Sequence, residues 1–334
     1  MAAIPKRTGH ILNSLRKLMN SKQYVPETIH AYIVPSGDAH QSEYIAPRYK
    51  RREFMSGFTG SAGTAIVTEN EALLWTDGRY FLQAENQHDE NWTLMKDGNP
   101  DVLKKEEWLS QKLPDGATVG VDPHLLSLDE WRRISKALKN SGKNLIRVDQ
   151  NLVDLVWCDL GQPEVPSSNL LALPLSSSGR SWEDKVNDVR ERLKKKNAYG
   201  FVVASLDEVA WLFNLRGGDI VYNPVFMSYA IVTLDNISLF IDESRLTNTI
   251  KDHLKLTNEN GMLKIFPYNG LQEELRKLGQ LEKKIWISSR NSCALASLVP
   301  EKYLITDISP IASLKAVKNP VEIEGMRNAH GGSI

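Results

Sequence analysis

The 334-residue sequence has no excess of charge of either sign and no long hydrophobic run. Lys plus Arg and Asp plus Glu number 41 each, so the charge balance does not indicate a nucleic-acid or membrane partner. No apolar stretch approaches the roughly 20 residues that cross a bilayer, and the N-terminus lacks the apolar core of a secretory signal. These absences predict a globular protein of the cytoplasm that binds neither nucleic acid nor membrane.

Cysteine and metal-binding motifs are also scarce. The two cysteines, Cys158 and Cys293, lie in different halves of the chain. Two free thiols are the expected state in a reducing compartment, with a single disulfide as the alternative. The seven histidines form no H-x-x-x-H pair or HExxH motif, and no CxxC occurs. We therefore predict no metal site and no catalytic residue here, although a site assembled from distant residues stays open.

What the sequence does contain is a repeated alternation of β-rich and helical segments. In the first half, short apolar runs lie at 31–36, 64–68, 72–77, 92–97, 117–122 and 144–149, and in the second at 200–205, 229–234, 237–242, 263–268 and 284–289. Ser127 with Glu130, and Ser181 with Asp184, are typical of helix starts, and Thr8 is predicted to cap a first helix. The pattern predicts an α/β fold, with mixed or parallel sheets flanked by helices.

The two halves resemble each other. Ala65-Ile66-Val67-Thr68 recurs as Ala230-Ile231-Val232-Thr233, a shift of 165 residues. At the same shift Leu74 matches Leu239, and Asp77 matches Asp242. A Pro- and Ser-rich segment, 160–181, separates the halves and is predicted to be a linker. The matched spacing indicates duplication of one fold rather than a chance tetrapeptide.

Two segments of the first half are candidates for function. The glycine-rich stretch 57–63 has neither the Lys of a phosphate-binding loop nor the G-x-S-x-G pattern of a hydrolase. A tight structural loop is therefore the favoured interpretation. The segment from Trp75 to Phe81 follows a strand, at the edge where α/β folds bind ligands. Asp77 has a structural explanation as a helix cap, whereas the Arg79 guanidinium is suited to hold a carboxylate or a peptide carbonyl.

The last helix signal lies close to the end of the sequence. Asn319 and Pro320 form a strong helix start, with Glu322 three residues after the cap, and Gly331 to Ile334 follow the helix. A helix started in this way usually leads into a further structural unit. We therefore expect residues 319–334 to be the start of a truncated third domain.

Five segments together identify a resemblance to a known family. Asp38 to Tyr44, GFTGSAGTA at 57–65 and WTDGRYFLQA at 75–84 resemble the first domain of Xaa-Pro aminopeptidases, the aminopeptidase P family. LDEVAWLFNLRG at 206–217 resembles their second domain, and SLKAVKNPVEIEGMRNAH at 313–330 resembles the entry into their third. The likeness is greatest to the long, cytosolic, three-domain eukaryotic members.

This resemblance implies two tandem creatinase/prolidase N-terminal-type domains, at 1–160 and 161–318, followed by the start of a catalytic pita-bread domain at 319–334. In the family, that catalytic domain binds two Mn(II) ions and releases the N-terminal residue from peptides with a penultimate proline. None of its metal ligands matches a position here, so no cofactor is expected in this chain. The one position implied to bind substrate is Arg79.

Two hypotheses about function follow. In the first, the chain is the N-terminal part of a metal-dependent Xaa-Pro aminopeptidase and is inactive alone. In the second, it is a stand-alone, non-catalytic binding or regulatory module that forms a homodimer or associates with full-length subunits. Whether the chain acts as an enzyme is left open between them.

Overall fold

A computed structural model describes residues 5–256 and 261–331, which form two compact units, one ending at Val165 and the next beginning at Pro166. The three C-terminal residues of the predicted ending, 332–334, lie outside the described residues. No helix in the described ranges is long and apolar enough to span a bilayer. Both cysteines are free, as predicted.

The first unit is a six-stranded mixed sheet with helices on both faces. Its strands, in the spatial order β4-β3-β2-β1-β5-β6, are β1 Ala31–Pro35, β2 Thr64–Thr68, β3 Ala72–Thr76, β4 Thr93–Lys96, β5 Thr118–Val121 and β6 Asn144–Arg147. Its helices are α1 Gly9–Met19, α2 Arg51–Ser56, α3 Phe81–Gln87, α4 Lys105–Lys112, α5 Leu128–Asn140 and α6 Leu152–Cys158. Strand β2 is antiparallel to its neighbours and the other five strands run parallel. The predicted α/β class is confirmed.

Alternation along the strands creates two cores in this unit. Successive side chains of a strand point to opposite faces, so Tyr32 and Ile33 enter different clusters. One cluster packs against α1, α2 and α6, and the other against α4 and α5. Because both faces are covered, β1, β2 and β3 are buried along their whole length.

The second unit repeats this sheet. Its strands are β7 Leu171–Ala172, β8 Gly200–Val203, β9 Leu215–Arg216, β10 Tyr229–Thr233, β11 Ile237–Phe240, β12 Leu263–Phe266, β13 Ile285–Ile287 and β14 Leu304–Ile305. Its helices are α7 Leu175–Ser178, α8 Trp182–Lys196, α9 Leu206–Leu212, α10 Asn248–His253, α11 Leu271–Gly279, α12 Cys293–Ala296, α13 Pro310–Ala316 and α14 Pro320–Gly331. The large sheet has the order β12-β11-β10-β8-β13-β14, which is the order and direction of the first unit.

The sequence repeat and the pairing register agree. Ala65 pairs with Leu74 across β2 and β3, and Ala230 pairs with Leu239 across β10 and β11, at the predicted shift of 165 residues. The duplication predicted from sequence is therefore confirmed at the level of individual strand pairs. The assignment of residues 319–334 to a third domain stays a prediction.

The predicted helix starts differ in outcome. Ser127 and Ser181 each accept a hydrogen bond from the third residue of their helix, and Asn319 forms a reciprocal cap with Glu322. The prediction for Thr8 was wrong. Thr8 precedes α1, but its side chain makes no cap, because its amide and hydroxyl both donate to the buried carboxylate of Asp89.

The segment predicted as a linker contains regular structure. Within 160–181, β7 pairs antiparallel with β9, and α7 follows it. Ser168 is held by Asp219, which forms a bidentate ion pair with Arg245 at 2.8 and 2.9 Å. These contacts make the later part of the segment a component of the second unit.

Candidate functional site

The carboxyl ends of the five parallel strands of the first unit meet at one edge of its sheet. The Asp77–Arg79 turn follows β3 there, and Asp97 follows β4. The glycine-rich segment 57–63 reaches the same edge from the opposite direction, because β2 begins there. The candidate site is therefore built from loops on a rigid, fully paired part of the sheet.

Arg79 lies at the surface and is oriented by Asp77. Its Nε and Nη2 atoms each donate to one carboxylate oxygen of Asp77 at 2.8 Å, and the backbone amide of Arg79 donates to Asp77 Oδ1 at 3.1 Å. The guanidinium lies over the ring of Tyr80, 5.1 Å from its centroid. The two side-chain hydrogen bonds lower the pKa of Asp77 to about 2 and raise the pKa of Arg79. The pair is therefore charged at any physiological pH.

Asp77 does not cap the following helix, which was the structural explanation considered from sequence. Helix α3 begins at Phe81 with Tyr80 at its N-cap position, and no side chain caps it. Asp77 instead closes the turn and positions a cation that is two-thirds exposed. This arrangement is bidentate, which fixes the plane of the guanidinium as well as its position.

The second unit provides an internal comparison for this turn. At the equivalent position Asp242 Oδ1 accepts from the amide of Ser244 at 3.0 Å and from its hydroxyl at 2.7 Å. The same turn therefore forms with serine where the first unit has Arg79. Because the turn does not need a guanidinium, Arg79 has chemistry that the fold alone does not require.

The glycine-rich segment packs tightly beside this turn. A Cβ on Gly60 would lie 2.2 Å from Phe58 Cζ, and one on Gly63 would lie 2.7 Å from the carbonyl oxygen of Trp75. The hydroxyl of Ser61 is 2.7 Å from that of Tyr80, which links the loop to the residue after Arg79. The close approach supports the structural interpretation of the glycines made from sequence.

Arg52, a residue not singled out from sequence, supports this loop from below. It is almost fully buried, donates to the carbonyl oxygen of Gly60 and stacks on Phe58 at 4.7 Å. Its Nε and Nη1 atoms have no hydrogen-bond partner within the described ranges. Burial lowers its pKa to about 10. Only the three-dimensional fold reveals this residue, because in sequence it is one of three consecutive basic residues at the start of α2.

A cavity of about 320 Å³ lies next to Asp77. Its lining comes from the start of β2, the ends of β3 and β4, the first turn of α4 and one residue of α5. Asp77 is shared between this cavity and the Arg79 pair, whereas Arg79 does not line it.

The part of the chain that the structure describes contains no cluster of three or more His, Cys, Asp or Glu residues that could hold a metal ion. These residues therefore do not fit the di-metal centre that the resemblance implies for the complete enzyme. No chemical step is assigned to a metal here.

Comparison with known proteins identifies both units. Two family models, each described as "Creatinase/Prolidase N-terminal domain", match residues 12–155 and 161–322. The chain belongs to the creatinase/prolidase N-terminal family. It carries two copies of that domain, which agrees with the duplicated sheet.

Individual relatives narrow the comparison to one group of peptidases. The chain is 46% identical to the Xaa-Pro aminopeptidase ApepP of Drosophila melanogaster and 45% identical to a probable Xaa-Pro aminopeptidase P of Pyricularia oryzae, covering 97% of this chain and 53% of each relative. It matches the crystal structure of X-prolyl aminopeptidase from Caenorhabditis elegans with a TM-score of 0.92 and 35% identity, covering 97% of this chain and 54% of that one. That protein is described as a cytosolic enzyme with a di-nuclear active site. The chain therefore spans about half the length of the relatives it matches.

Proposed function

We propose that this chain is the substrate-positioning, non-catalytic part of a cytoplasmic Xaa-Pro aminopeptidase. In this proposal Arg79 holds a proline-containing peptide, and a domain with two metal ions, expected to be Mn(II), performs the hydrolysis. The relatives' names and the half-length match support this assignment. Without such a domain the chain is expected to be inactive.

The observation that carries the proposal is the availability of the Arg79 guanidinium. A guanidinium has five N–H donors, and Asp77 accepts only from Nε and Nη2. No other side chain in the described ranges accepts from Arg79, so its remaining donors can bind a carboxylate or carbonyl of a peptide. Asp77 fixes the plane of the group in advance, which reduces the entropy lost on binding.

The function can be tested with two preparations. The purified chain is assayed for hydrolysis of Arg-Pro-Pro with added Mn(II), alone and after co-expression with the half of the Drosophila relative that it does not match. We expect turnover only in the second case. Turnover by the chain alone that a chelator abolishes would contradict the proposed inactivity.

The role of Arg79 is tested in the reconstituted enzyme with Arg79→Ser, the residue that closes the equivalent turn of the second unit. Loss of a charge-assisted hydrogen bond of about 1.5 to 3 kcal/mol predicts an increase in KM of roughly 10- to 150-fold. Ser244→Ala in the second unit is the matched control and is expected to leave KM unchanged. An unchanged KM for Arg79→Ser would remove the proposed role.

A second candidate function is association with full-length subunits or with another copy of the chain. It is favoured by α14, none of whose described residues is buried, with Ile323 39% and Met326 52% exposed. Mixing the tagged chain with the full-length Drosophila relative and measuring co-elution and peptidase activity would test it. Absence of a complex at micromolar concentration would leave the first proposal alone.

A further inference from the structure

We infer that the cavity beside Asp77 is a binding site for a small zwitterion of the free α-amino-acid class. The inference is independent of the proposed role of Arg79, because it rests on different side chains. It follows from the size of the cavity, the signs of the charges that line it, and two unsatisfied polar features on opposite sides of one helix turn.

Its size limits the ligand. Small-molecule pockets in proteins span roughly 300 to 1,000 Å³, and a cavity of about 320 Å³ lies at the lower limit. The walls are a closed β2–β3 pair and two helices packed on the sheet, which leaves little room for expansion. A molecule with few heavy atoms is therefore the expected occupant.

The charges limit it further. Three acidic and three basic side chains line the cavity: Asp77, Asp97, Glu106, Lys104, Lys105 and Arg133. Several are already paired, since Asp77 binds Arg79, Lys105 binds Glu130, and Arg133 binds Glu106. Within the described ranges the side chains of Asp97 and Lys104 have no ionic partner. One free charge of each sign is matched by a ligand that carries one of each.

The anionic end has a defined place at the start of α4. Lys104 occupies the N-cap position, where a lysine has no acceptor atom, and no side-chain cap satisfies the first turn. By contrast, α5 has Ser127 at this position, and its hydroxyl accepts from the Glu130 amide at 3.2 Å. A carboxylate at the start of α4 would accept from the free amides and pair with the Lys104 ammonium.

The cationic end has a place one residue further along. Glu106 is only 9% exposed, and its Oε1 accepts from Arg133 at 2.8 Å. Its Oε2 is buried without a partner in the described part of the chain. Leaving a buried charged acceptor unsatisfied is unfavourable by more than about 1 to 3 kcal/mol. A ligand ammonium has three donors and would satisfy Glu106 and Asp97 together.

The test is a titration of the whole chain with glycine, L-alanine and L-proline, followed by amide chemical shifts and calorimetry. Acetate and methylammonium carry the two halves of the zwitterion separately. We expect glycine to bind at least about tenfold more tightly than either half, since each end adds a charge-assisted contact. Shifts should be confined to residues around 62–64, 75–77 and 97–106.

Variants separate the two ends of the site. Glu106→Gln and Lys104→Ala are each expected to weaken glycine binding about tenfold, and Asp97→Asn tests the cationic end through an exposed residue if Glu106→Gln impairs folding. Lys112→Ala removes the same charge from the other end of α4 and should leave the affinity unchanged. Equal binding of acetate and glycine would overturn the inference in favour of a simple anion site. Saturable shifts absent for all three amino acids, or affinities unchanged in every variant, would also overturn it.

Discussion

At the scale of single residues, Glu208 is a carboxylate whose environment opposes its charge. It lies on α9, is 7% exposed, and shares a hydrogen bond with Ser309, which caps α13. Desolvation by burial raises its pKa to about 7. The folded state therefore holds a proton that the unfolded chain, with an ordinary glutamate pKa of about 4.3, releases at lower pH.

This difference predicts how stability changes with pH. Between about pH 4.5 and 7 the folded state binds more protons than the unfolded state, so the Glu208 contribution is present in acid and is lost as the pH rises. We expect Glu208→Gln to gain about 1 to 3 kcal/mol relative to wild type between pH 5 and pH 8. Urea denaturation of both proteins at the two pH values measures it.

The control for this prediction is Glu324→Gln on the exposed face of α14. Its difference from wild type should stay within about 0.5 kcal/mol at both pH values. If Glu208→Gln shows the same flat difference, the carboxylate is not desolvated as the structure indicates.

The Asp77–Arg79 pair gives a second prediction at this scale. In Arg79→Ser the strongest hydrogen bonds to Asp77 are lost, so its pKa should rise from about 2 towards its ordinary value. It should stop short of that value, because Asp242, which has serine in the equivalent place, also has a lowered pKa. Carboxyl-carbon NMR titration in acid reports both residues. An Asp77 midpoint that does not move would show that Arg79 does not hold the carboxylate in solution.

At the scale of elements, the start of α14 is firmly anchored and the rest of it is not. Asn319 and Glu322 cap each other's backbone, the Asn319 amide group donates to the carbonyl oxygen of Ser178 at 2.9 Å, and Trp211 donates to Glu322 at 3.2 Å. Beyond this turn Ile323 and Met326 present apolar side chains at a spacing of three residues, which places them on one face.

We therefore expect the chain to self-associate through this face as its concentration rises. Met326→Glu should shift the equilibrium towards monomer, because a charge cannot be buried in an apolar contact without a partner. Light scattering coupled to gel filtration over a dilution series measures the mass. Arg327→Gln, a change on an adjacent position of the helix, is the control. A wild-type protein that stays monomeric throughout would favour the stand-alone module.

How far sequence predicts this structure depends on how local the determining interactions are. The run 64–68 is strand β2, and the serine caps of α5 and α8 form as expected, because each depends on neighbours within a few residues. Thr8 is an exception because a residue 81 positions away, Asp89, competes for its hydroxyl. The pairing of β7 with β9 is hidden for the same reason, since its two partners are separated by more than 40 residues.

The candidate site divides along the same line. Arg79 is recognisable from its motif, but its bidentate contact with Asp77 depends on side-chain geometry that the motif does not specify. The cavity joins residues from 62 to 133 and cannot be assembled from spacing alone. Buried groups without partners, such as Arg52 and Glu106, are properties of packing and have no signal in the sequence.

At the scale of the whole molecule, the duplication places the same residue in two separate cores. Ile66 and Ile231 are related by the 165-residue shift, lie on β2 and β10, and are 0% and 2% exposed. Ile66 packs in a cluster formed only by residues of the first unit, and Ile231 in one formed only by residues of the second. Each isoleucine should therefore stabilise its own unit.

Truncating each residue in turn tests whether the units unfold separately. Ile66→Ala and Ile231→Ala are each expected to lower the stability of one unit by about 2 to 5 kcal/mol through lost burial and the cavity that remains. Hydrogen exchange measured by mass spectrometry should rise across the sheet of the altered unit and stay at the wild-type level in the other. The valine variants at both positions, with an expected loss of about 0.5 to 1.5 kcal/mol, should show the same pattern at smaller amplitude. If either truncation raises exchange equally in both sheets, the two creatinase/prolidase N-terminal domains unfold as a single cooperative unit.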